Sequence, residues 1–156
     1  MKITLLCVGK TDKGYLETGV SQYLARLQHY VPLEVQIIPE LKNAKSLSEQ
    51  QQKEAEGWQI LAAVGNSELC LLDQRGTAFS SVQFAAFLQK KMLSSTPNLC
   101  FVVGGAYGFS AAVYARAQAQ IALSAMTFSH QMVRLFFVEQ LYRAFTILKG
   151  TPYHHG

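Results

Sequence analysis

Short apolar segments alternate with longer amphipathic segments along most of this 156-residue chain. The apolar segments, such as residues 2–8, 33–38 and 98–103, have the length of β-strands and carry few charges. Strands that are apolar on both faces are typical of a parallel sheet with helices packed on each side. The alternation therefore predicts an α/β fold with a mainly parallel sheet covered by helices on both faces. Nothing in the composition divides the chain, so we expect a single domain over residues 1–156.

The spacing of apolar residues and the turn residues set the expected bounds of these elements. Strands are predicted at Lys2–Val8, Leu33–Ile38, Leu69–Leu72, Asn98–Val103 and Ile121–Leu123. Helices are predicted at Tyr15–Leu27, from Ser46–Glu49 to about Val64, at Ser80–Met92 and at His130–Leu148. The second helix is expected to begin with a capping box, in which the side chains of Ser46 and Glu49 pair with the first free N–H groups.

The last predicted helix is apolar on nearly every side. A helix of this kind is either deeply buried or part of an interface, because one face of a sheet cannot cover it. We expect it to form a homodimer contact, and a wholly intramolecular core helix is the alternative.

A binding crevice is expected where three of the strands end. Ligands of parallel sheets bind beyond the carboxyl ends of the strands. The strand ends are Leu72, Val103 and Leu123, and the loops that follow them are Asp73–Gly76, Gly104–Gly108 and Ser124–Ser129. The glycines of the second loop have no Cβ atom, so a ligand is expected to approach the main chain itself. The sequence thus predicts a crevice lined by main-chain and apolar groups.

Charge is distributed unevenly between the two parts of the chain. Residues 1–73 carry seven basic and nine acidic side chains, whereas residues 74–156 carry seven basic side chains and one acidic side chain, Glu139. The two balances, −2 and +6, sum to the net charge of +4. This segregation favours a polyanionic partner for the C-terminal part, nucleic acid above all, although chance variation among solvated surfaces produces similar counts.

Several familiar site motifs are absent or incomplete. The glycines of residues 104–108 lack the spacing of a dinucleotide-binding turn and have no acidic residue about 20 positions further on, which disfavours a nicotinamide enzyme. The chain has no phosphate-binding GxxxxGK[ST] loop and no GxSxG nucleophile elbow. Its histidines are not spaced with carboxylates or cysteines as metal ligands would be, so no metal is expected.

The cysteines and the apolar stretches indicate the compartment. Cys7, Cys70 and Cys100 lie inside apolar runs without CxxC spacing, which predicts buried, reduced thiols in a cytosolic protein, with a catalytic cysteine as a minor alternative. The first residues show no signal-peptide pattern, and no uncharged apolar stretch reaches membrane-spanning length. We therefore expect a cytoplasmic protein with no membrane partner.

Seven motifs, taken in order, resemble one family of enzymes. They are Met1–Thr4, Leu72–Asp73, Val103–Gly108, Leu123–Phe128, His130–Arg134, Glu139–Ala144 and Pro152–His154. Their order and spacing, over essentially the whole chain, resemble the ribosomal RNA large subunit methyltransferase H family of the SPOUT superfamily. The glycine loop alone would be a weak signal, but the agreement of several motifs makes the resemblance specific.

The resemblance implies a homodimeric domain with a deep trefoil knot at its C-terminal end. It also implies methylation, by S-adenosyl-L-methionine, of N3 of a pseudouridine in a stem-loop of 23S ribosomal RNA on the assembled ribosome. Carried over by motif, the cofactor contacts fall on Leu72, Gly104, Leu123, Ser124, Ala125, Met126, Thr127 and Phe128. These are the same three strand ends that the sheet pattern selects independently.

Polar side chains of the last motifs are the candidates for chemistry on the substrate. The expected catalytic residues are His130, Arg143, Tyr153 and His154, and the expected substrate contacts are Arg134 and Glu139. Glu139 and Arg143 share a helix face, so Glu139 can orient Arg143 toward a phosphate or a base carbonyl, with an ordinary helical ion pair as the alternative.

The remaining candidates carry alternatives of their own. Tyr153 is expected to stack on the base or hydrogen-bond it, and His154 to contact phosphate or take the proton, unless the terminus is mobile. His130 either acts on the substrate or only caps and packs at the start of its helix.

Two other functions stay open at this point. One is a non-catalytic RNA-binding or ribosome-binding module of the same fold, and the other is a SPOUT methyltransferase that acts on another RNA. The chain also departs from the family pattern, with Ser129 where proline is common and His155–Gly156 where a basic residue is usual. The first change predicts a less rigid loop, and the second a weaker or pH-sensitive phosphate contact.

Overall fold

The computed structural model describes all 156 residues, which form one five-stranded parallel sheet with helices on both faces. The strands are β1 (Lys2–Val8), β2 (Leu33–Ile38), β3 (Glu68–Ala78), β4 (Asn98–Val103) and β5 (Ala119–Ala122), in the spatial order β2-β1-β4-β3-β5. The helices are α1 (Tyr15–Leu27), α2 (Glu49–Val64), α3 (Ser81–Leu93), α4 (Ala111–Arg116) and α5 (Met132–Lys149). The predicted α/β class and parallel sheet are confirmed.

Two apolar cores lie on the two faces of the sheet. One face packs against α1, α3 and α5, with Phe101 and Phe137 at its centre, their ring centroids 4.8 Å apart. The other face packs against α2 and α4 through residues such as Ile60 and Val113. Because β1, β4 and the first part of β3 contribute side chains to both cores, their sequences there are apolar rather than alternating.

Several elements differ from the predictions, including β5, which is Ala119–Ala122 rather than Ile121–Leu123. The capping box of α2 lies two residues later than expected: the Ser48 hydroxyl accepts from the Gln51 N–H, and the Gln51 side chain accepts from the Ser48 N–H. α4 was not predicted, because six residues are too few to show helical periodicity. The predicted loop Asp73–Gly76 is part of β3, which continues to Ala78.

The extension of β3 depends on its partner strand. β3 pairs with β5 in two registers, first through Cys70–Leu72 and again through Thr77 and Ala78, with an irregularity between them. At Gly76 a Cβ atom would lie 2.5 Å from the Gln120 carbonyl carbon, so only glycine allows the two backbones this close. The polar residues of this segment therefore remain in the sheet, which their composition does not predict.

Helix α5 packs against both α1 and α3. Its most enclosed apolar residues, Phe137, Val138, Leu141 and Phe145, belong to the core. Phe136 remains 39% exposed, and its ring lies 4.8 Å from that of Phe128. The helix is thus largely an intramolecular core helix, with one aromatic side chain left at the surface.

The three cysteines are buried, as predicted. Burial raises the pKa of the Cys7 thiol to about 11 and the pKa values of Cys70 and Cys100 to about 12. Thiols that stay protonated are poor nucleophiles, which argues against a catalytic cysteine. None of the helices is both long and apolar enough to cross a membrane. No group of three or more His, Cys, Asp or Glu side chains is arranged to hold a metal ion.

Candidate functional site

A crevice of about 690 Å³ opens at the carboxyl ends of β3, β4 and β5. Seven of the eight residues predicted to hold a cofactor line it, namely Leu72, Gly104, Leu123, Ser124, Met126, Thr127 and Phe128. Ala125 is the exception and does not line the crevice. The three strand ends therefore meet as the parallel-sheet pattern predicts.

The glycines beside the crevice are required by the packing and turn geometry of the protein itself. A Cβ atom on Gly104 would lie 2.9 Å from the ring of Phe109, and one on Gly105 would lie 2.6 Å from Oε1 of Glu56. Phe109 and Glu56 are 6% and 5% exposed, so the protein packs directly behind these two glycines. Gly108, with a φ of 82°, is needed for the turn itself. Close packing of the protein is thus enough to exclude side chains at Gly104 and Gly105, and approach of a ligand to their main chain stays a prediction.

The cofactor segment has unpaired main-chain donors. The N–H groups of Ala125, Thr127 and Phe128 make no hydrogen bond within the chain, whereas Met126 N–H donates to the Ser124 hydroxyl at 3.0 Å. The Thr127 hydroxyl donates to the Gln74 side-chain oxygen, which joins this segment to β3 across the crevice. The segment is held in place while several of its N–H groups remain unpaired, including those of the crevice-lining residues Thr127 and Phe128.

A second polar group on the crevice was not predicted from the sequence. The Tyr114 hydroxyl donates to Oδ2 of Asp73 and accepts from the Arg75 guanidinium, whose carbon lies 4.8 Å from the Tyr114 ring centroid. Burial, followed by the hydrogen bond to Asp73, raises the pKa of Tyr114. Tyr114 lies on α4, the helix without a sequence signal, so no spacing pattern indicated this group.

His130 lines the crevice just before α5, but Arg134 does not. Arg134 is 1% exposed, and its guanidinium donates to the carbonyl oxygens of Val8 and Gly9 at 2.9 and 2.8 Å and to the Thr11 hydroxyl at 3.1 Å. The prediction of a substrate contact at Arg134 is corrected accordingly. In this chain, Arg134 fixes the end of β1 to the start of α5.

Replacing Arg134 with methionine is expected to lower the free energy of unfolding by about 3 kcal/mol or more. The change removes charge-assisted hydrogen bonds, each worth about 1.5–3 kcal/mol, and leaves two buried carbonyl groups unpaired. Urea denaturation measures the effect, with Lys149→Met at the exposed end of α5 as the control. A difference from wild type within about 0.5 kcal/mol would mean that the contacts of Arg134 add little.

Four of the predicted polar residues form a cluster at the other end of α5. Glu139 pairs with Arg143 at 2.7 Å, and Nη1 of Arg143 lies 3.2 Å from Nδ1 of His154. The Tyr153 hydroxyl lies 3.1 Å from both Glu139 Oε1 and the Tyr23 hydroxyl. The guanidinium of Arg143 also covers the Tyr153 ring, 4.8 Å from its centroid. The C-terminal residues are therefore bound to α5 through these contacts.

Protonation within this cluster follows from its contacts. The hydrogen bond with Glu139 raises the pKa of Arg143, and burial together with the bonds to Tyr23 and Glu139 raises that of Tyr153. A guanidinium only donates, so Nδ1 of His154 accepts from Arg143, while Nε2 carries the hydrogen and donates to an oxygen of Gly156 at 3.1 Å. In this arrangement Tyr153 is a hydrogen-bond donor, not a phenolate base.

The cluster is separate from the crevice within one chain. Val133 lines the crevice, whereas Glu139, Arg143, Tyr153 and His154 do not. Arg143 follows Val133 by ten residues, which is about 15 Å along a helix. The motifs that contain Val133 and the cluster are close in the sequence, but their residues do not share a cavity.

Several cations of the C-terminal part are paired with carboxylates or engaged with main-chain carbonyl groups. Besides Arg134 and Arg143, Lys91 pairs with Glu68 at 2.6 Å, and Arg116 donates to the carbonyl oxygens of Gly65 and Ser67. The cations that line the crevice are Lys53 and Arg75. The exposed positive surface is therefore smaller than the sequence count predicts.

Known proteins are similar to this chain over almost its whole length. Residues 1–154 match the family model described as predicted SPOUT methyltransferase. The chain is 58% identical to a protein of Christiangramia forsetii and 55% identical to one of Parabacteroides distasonis, each over 99% of both chains. Both relatives bear the name ribosomal RNA large subunit methyltransferase H.

Two solved structures share the fold at low sequence identity. A probable methyltransferase from Bordetella pertussis Tohama I has a TM-score of 0.57 and 9% identity, over 92% of this chain and 96% of that one. A probable methylase family protein from Haemophilus influenzae Rd KW20 has a TM-score of 0.55 and 12% identity, over 99% of this chain and 70% of that one. At these identities the likeness concerns the fold.

Proposed function

The chain belongs to the SPOUT methyltransferase family, and we propose that it methylates N3 of a pseudouridine in large-subunit ribosomal RNA with S-adenosyl-L-methionine as methyl donor. The observation that carries this proposal is the crevice at the three strand ends, lined by seven residues of the cofactor motifs. Relatives with more than half of their residues in common bear the matching name. The reaction takes place on ribosomes, and thus in the cytoplasm.

The residues of the crevice fit this methyl donor. Its volume lies within the range of about 300–1,000 Å³ that is usual for small-molecule sites. The unpaired N–H groups of Thr127 and Phe128 offer donors for the polar edges of a nucleoside, and side chains such as Leu72 and Leu123 offer an apolar wall. The donor, when bound, supplies an electrophilic methyl group on a sulfonium.

The protein's task is to bring the base to this methyl group and to accept its N3 proton. Correct positioning is worth about 7–11 kcal/mol of the barrier, whereas a general base contributes about 10²–10⁴-fold in rate. The packed turn at Gly104 and the hydrogen bond between Thr127 and Gln74 stabilise the walls of the crevice. The geometry of the crevice is therefore the larger contribution.

The cluster at the end of α5 is proposed to act on the base. Loss of the N3 proton spreads negative charge over the flanking carbonyl oxygens, and the guanidinium of Arg143 is suited to stabilise that charge. Glu139 holds Arg143 from one side and Tyr153 covers it from another. In this proposal His154 binds phosphate or relays the proton, and His130 contacts the substrate from the crevice.

We propose a homodimer in which the crevice of one protomer receives the cluster of the other. Two observations support it: the separation of about 15 Å along α5 within one chain, and the exposed Phe136 beside Phe128 at the crevice. The C-terminal trefoil knot implied by the family resemblance belongs to the same proposal.

Binding of the cofactor tests the first step. S-adenosyl-L-methionine at 100 times its Kd is expected to stabilise the protein by about 2.7 kcal/mol, whereas NAD at the same concentration should have no effect. Thermal denaturation with each compound measures this difference. Equal shifts with both compounds, or none with either, would contradict the cofactor assignment.

An assay of methyl transfer tests the proposed RNA substrate and the proposed reaction. Labelled methyl groups should reach the large-subunit RNA of ribosomes isolated from the source organism after deletion of this gene, and mass mapping should place them on a pseudouridine. Cofactor binding without transfer would instead favour the non-catalytic module, and transfer to free transfer RNA would favour another substrate.

A further inference from the structure

Arg75 occupies an unusual position for an exposed cation. Its side chain is 70% exposed, yet the guanidinium lies over the Tyr114 ring and donates to the Tyr114 hydroxyl. A free arginine side chain loses about 2 kcal/mol of rotamer entropy when it becomes fixed. Here the ring and the hydroxyl fix it before any ligand arrives.

Asp73 also contacts Arg75 and helps to hold it in position. Its side chain is only 10% exposed and lies 3.8 Å from the guanidinium, while one oxygen accepts from the Tyr114 hydroxyl and the other from the Arg75 N–H at 3.1 Å. Both carboxylate oxygens are therefore engaged within the chain. The rest of the guanidinium faces outward, with donors left over after the bond to Tyr114.

The surroundings of Arg75 suit a nucleic-acid strand at the mouth of the crevice. Lys53 also lines the crevice and makes no ion pair or hydrogen bond, and Tyr107 lines it with 46% of its surface exposed. Cations and an accessible aromatic ring are the groups that bind phosphates and unstacked bases of single-stranded RNA. Of the charged pair beside Tyr114, the acidic side chain of Asp73 is 10% exposed and the cationic side chain of Arg75 is 70% exposed.

We propose that Arg75 binds a backbone phosphate of the substrate RNA next to the target base, and that Tyr114 is the positioning residue that holds Arg75 there. This inference rests on the proposed function, because it places an RNA strand over the crevice. Planar guanidinium groups bind phosphate oxygens through paired hydrogen bonds, and a preorganised group loses less freedom on binding.

The experiment is steady-state methyl transfer to ribosomes of the gene-deleted source organism, at fixed magnesium and from about 50 to about 200 mM KCl. The variants are Arg75→Ala, Arg75→Lys and Tyr114→Phe, and Lys90→Ala removes an exposed charge on α3 as the matched control. The affinity of each variant for S-adenosyl-L-methionine is measured by calorimetry, which also shows whether the crevice remains intact.

For Arg75→Ala, the KM for ribosomes should rise about 10-fold or more while kcat stays within about twofold, because one charge-assisted contact is lost. The slope of log kcat/KM against log salt should become shallower by about 0.7–0.9, as expected for one phosphate contact. Tyr114→Phe keeps the ring but not the hydroxyl, so a smaller rise in KM with an unchanged slope is expected. Arg75→Lys should also preserve the slope.

Three results would overturn the inference. Unchanged KM and slope in Arg75→Ala would show that Arg75 does not contact the RNA, and an equal change in Lys90→Ala would show general electrostatic attraction instead. Weakened cofactor binding in Arg75→Ala would assign the guanidinium to the cofactor carboxylate. If the wild-type protein itself failed to methylate ribosomes, the proposed function would fall, and this inference with it.

Discussion

Gly104→Val is expected to weaken binding of S-adenosyl-L-methionine by about 100-fold or more. The added Cβ atom would lie 2.9 Å from Cε1 and 3.0 Å from Cζ of Phe109, and this ring has only 6% of its surface exposed. Overpacking of a filled core costs about 1–3 kcal/mol, and relief of the clash here must shift either Phe109 or the turn that lines the crevice. Isothermal titration calorimetry of the cofactor measures the loss.

A second substitution separates the clash from a direct effect on the ligand. Gly104→Val combined with Phe109→Leu returns space behind the turn, so part of the affinity should return as well. Gly104→Ala, with one methyl group, should lie between wild type and the valine variant. Normal affinity in Gly104→Val would show that the packed turn does not control the crevice.

The strands and the crevice were predictable because both follow from burial. β1 and β4 are covered on both faces, so their apolar runs coincide with the bounds of the strands in the structure. The carboxyl ends of neighbouring parallel strands must meet at one edge, and Leu72 and Leu123 accordingly line one crevice. No long-range information was needed for either prediction.

Predictions failed where a residue's role depends on a partner distant in the sequence. Arg134 shares a motif with His130, and only the fold shows that its guanidinium is enclosed by the end of β1. At Gly104, only the fold shows that Phe109 fills the space of a Cβ atom. Tyr114 and Arg75 are 39 residues apart, and no periodic pattern connects them.

The placement of the C-terminal cluster shows the same limit. The sequence groups Glu139, Arg143, Tyr153 and His154 correctly, because i,i+4 spacing and a short tail bring them together. The distance from this cluster to the crevice is set by the length of α5, which the motifs alone do not relate to the sheet. In the proposed homodimer, the cluster of one protomer instead meets the crevice of the other.

Arg143→Ala is expected to reduce methyl transfer to ribosomes by about 10²–10⁴-fold while leaving the affinity for S-adenosyl-L-methionine unchanged. Arg143 is the centre of its cluster, because it contacts Glu139, His154 and the Tyr153 ring at once. Its Nε is buried and has no hydrogen-bond partner in the chain. Single-turnover transfer with saturating cofactor measures the rate.

His154→Ala distinguishes the parts of the cluster, since it leaves the Glu139–Arg143 pair in place. We expect it to slow methyl transfer less than Arg143→Ala does, because the guanidinium keeps its orientation. The control variant Lys149→Ala, at the end of the same helix, should have no effect. Calorimetry with the cofactor confirms in each variant that the crevice is intact. If both Arg143→Ala and His154→Ala kept full activity, the substrate site would have to lie elsewhere, and the case for a crevice completed by a partner protomer would lose its chemical basis.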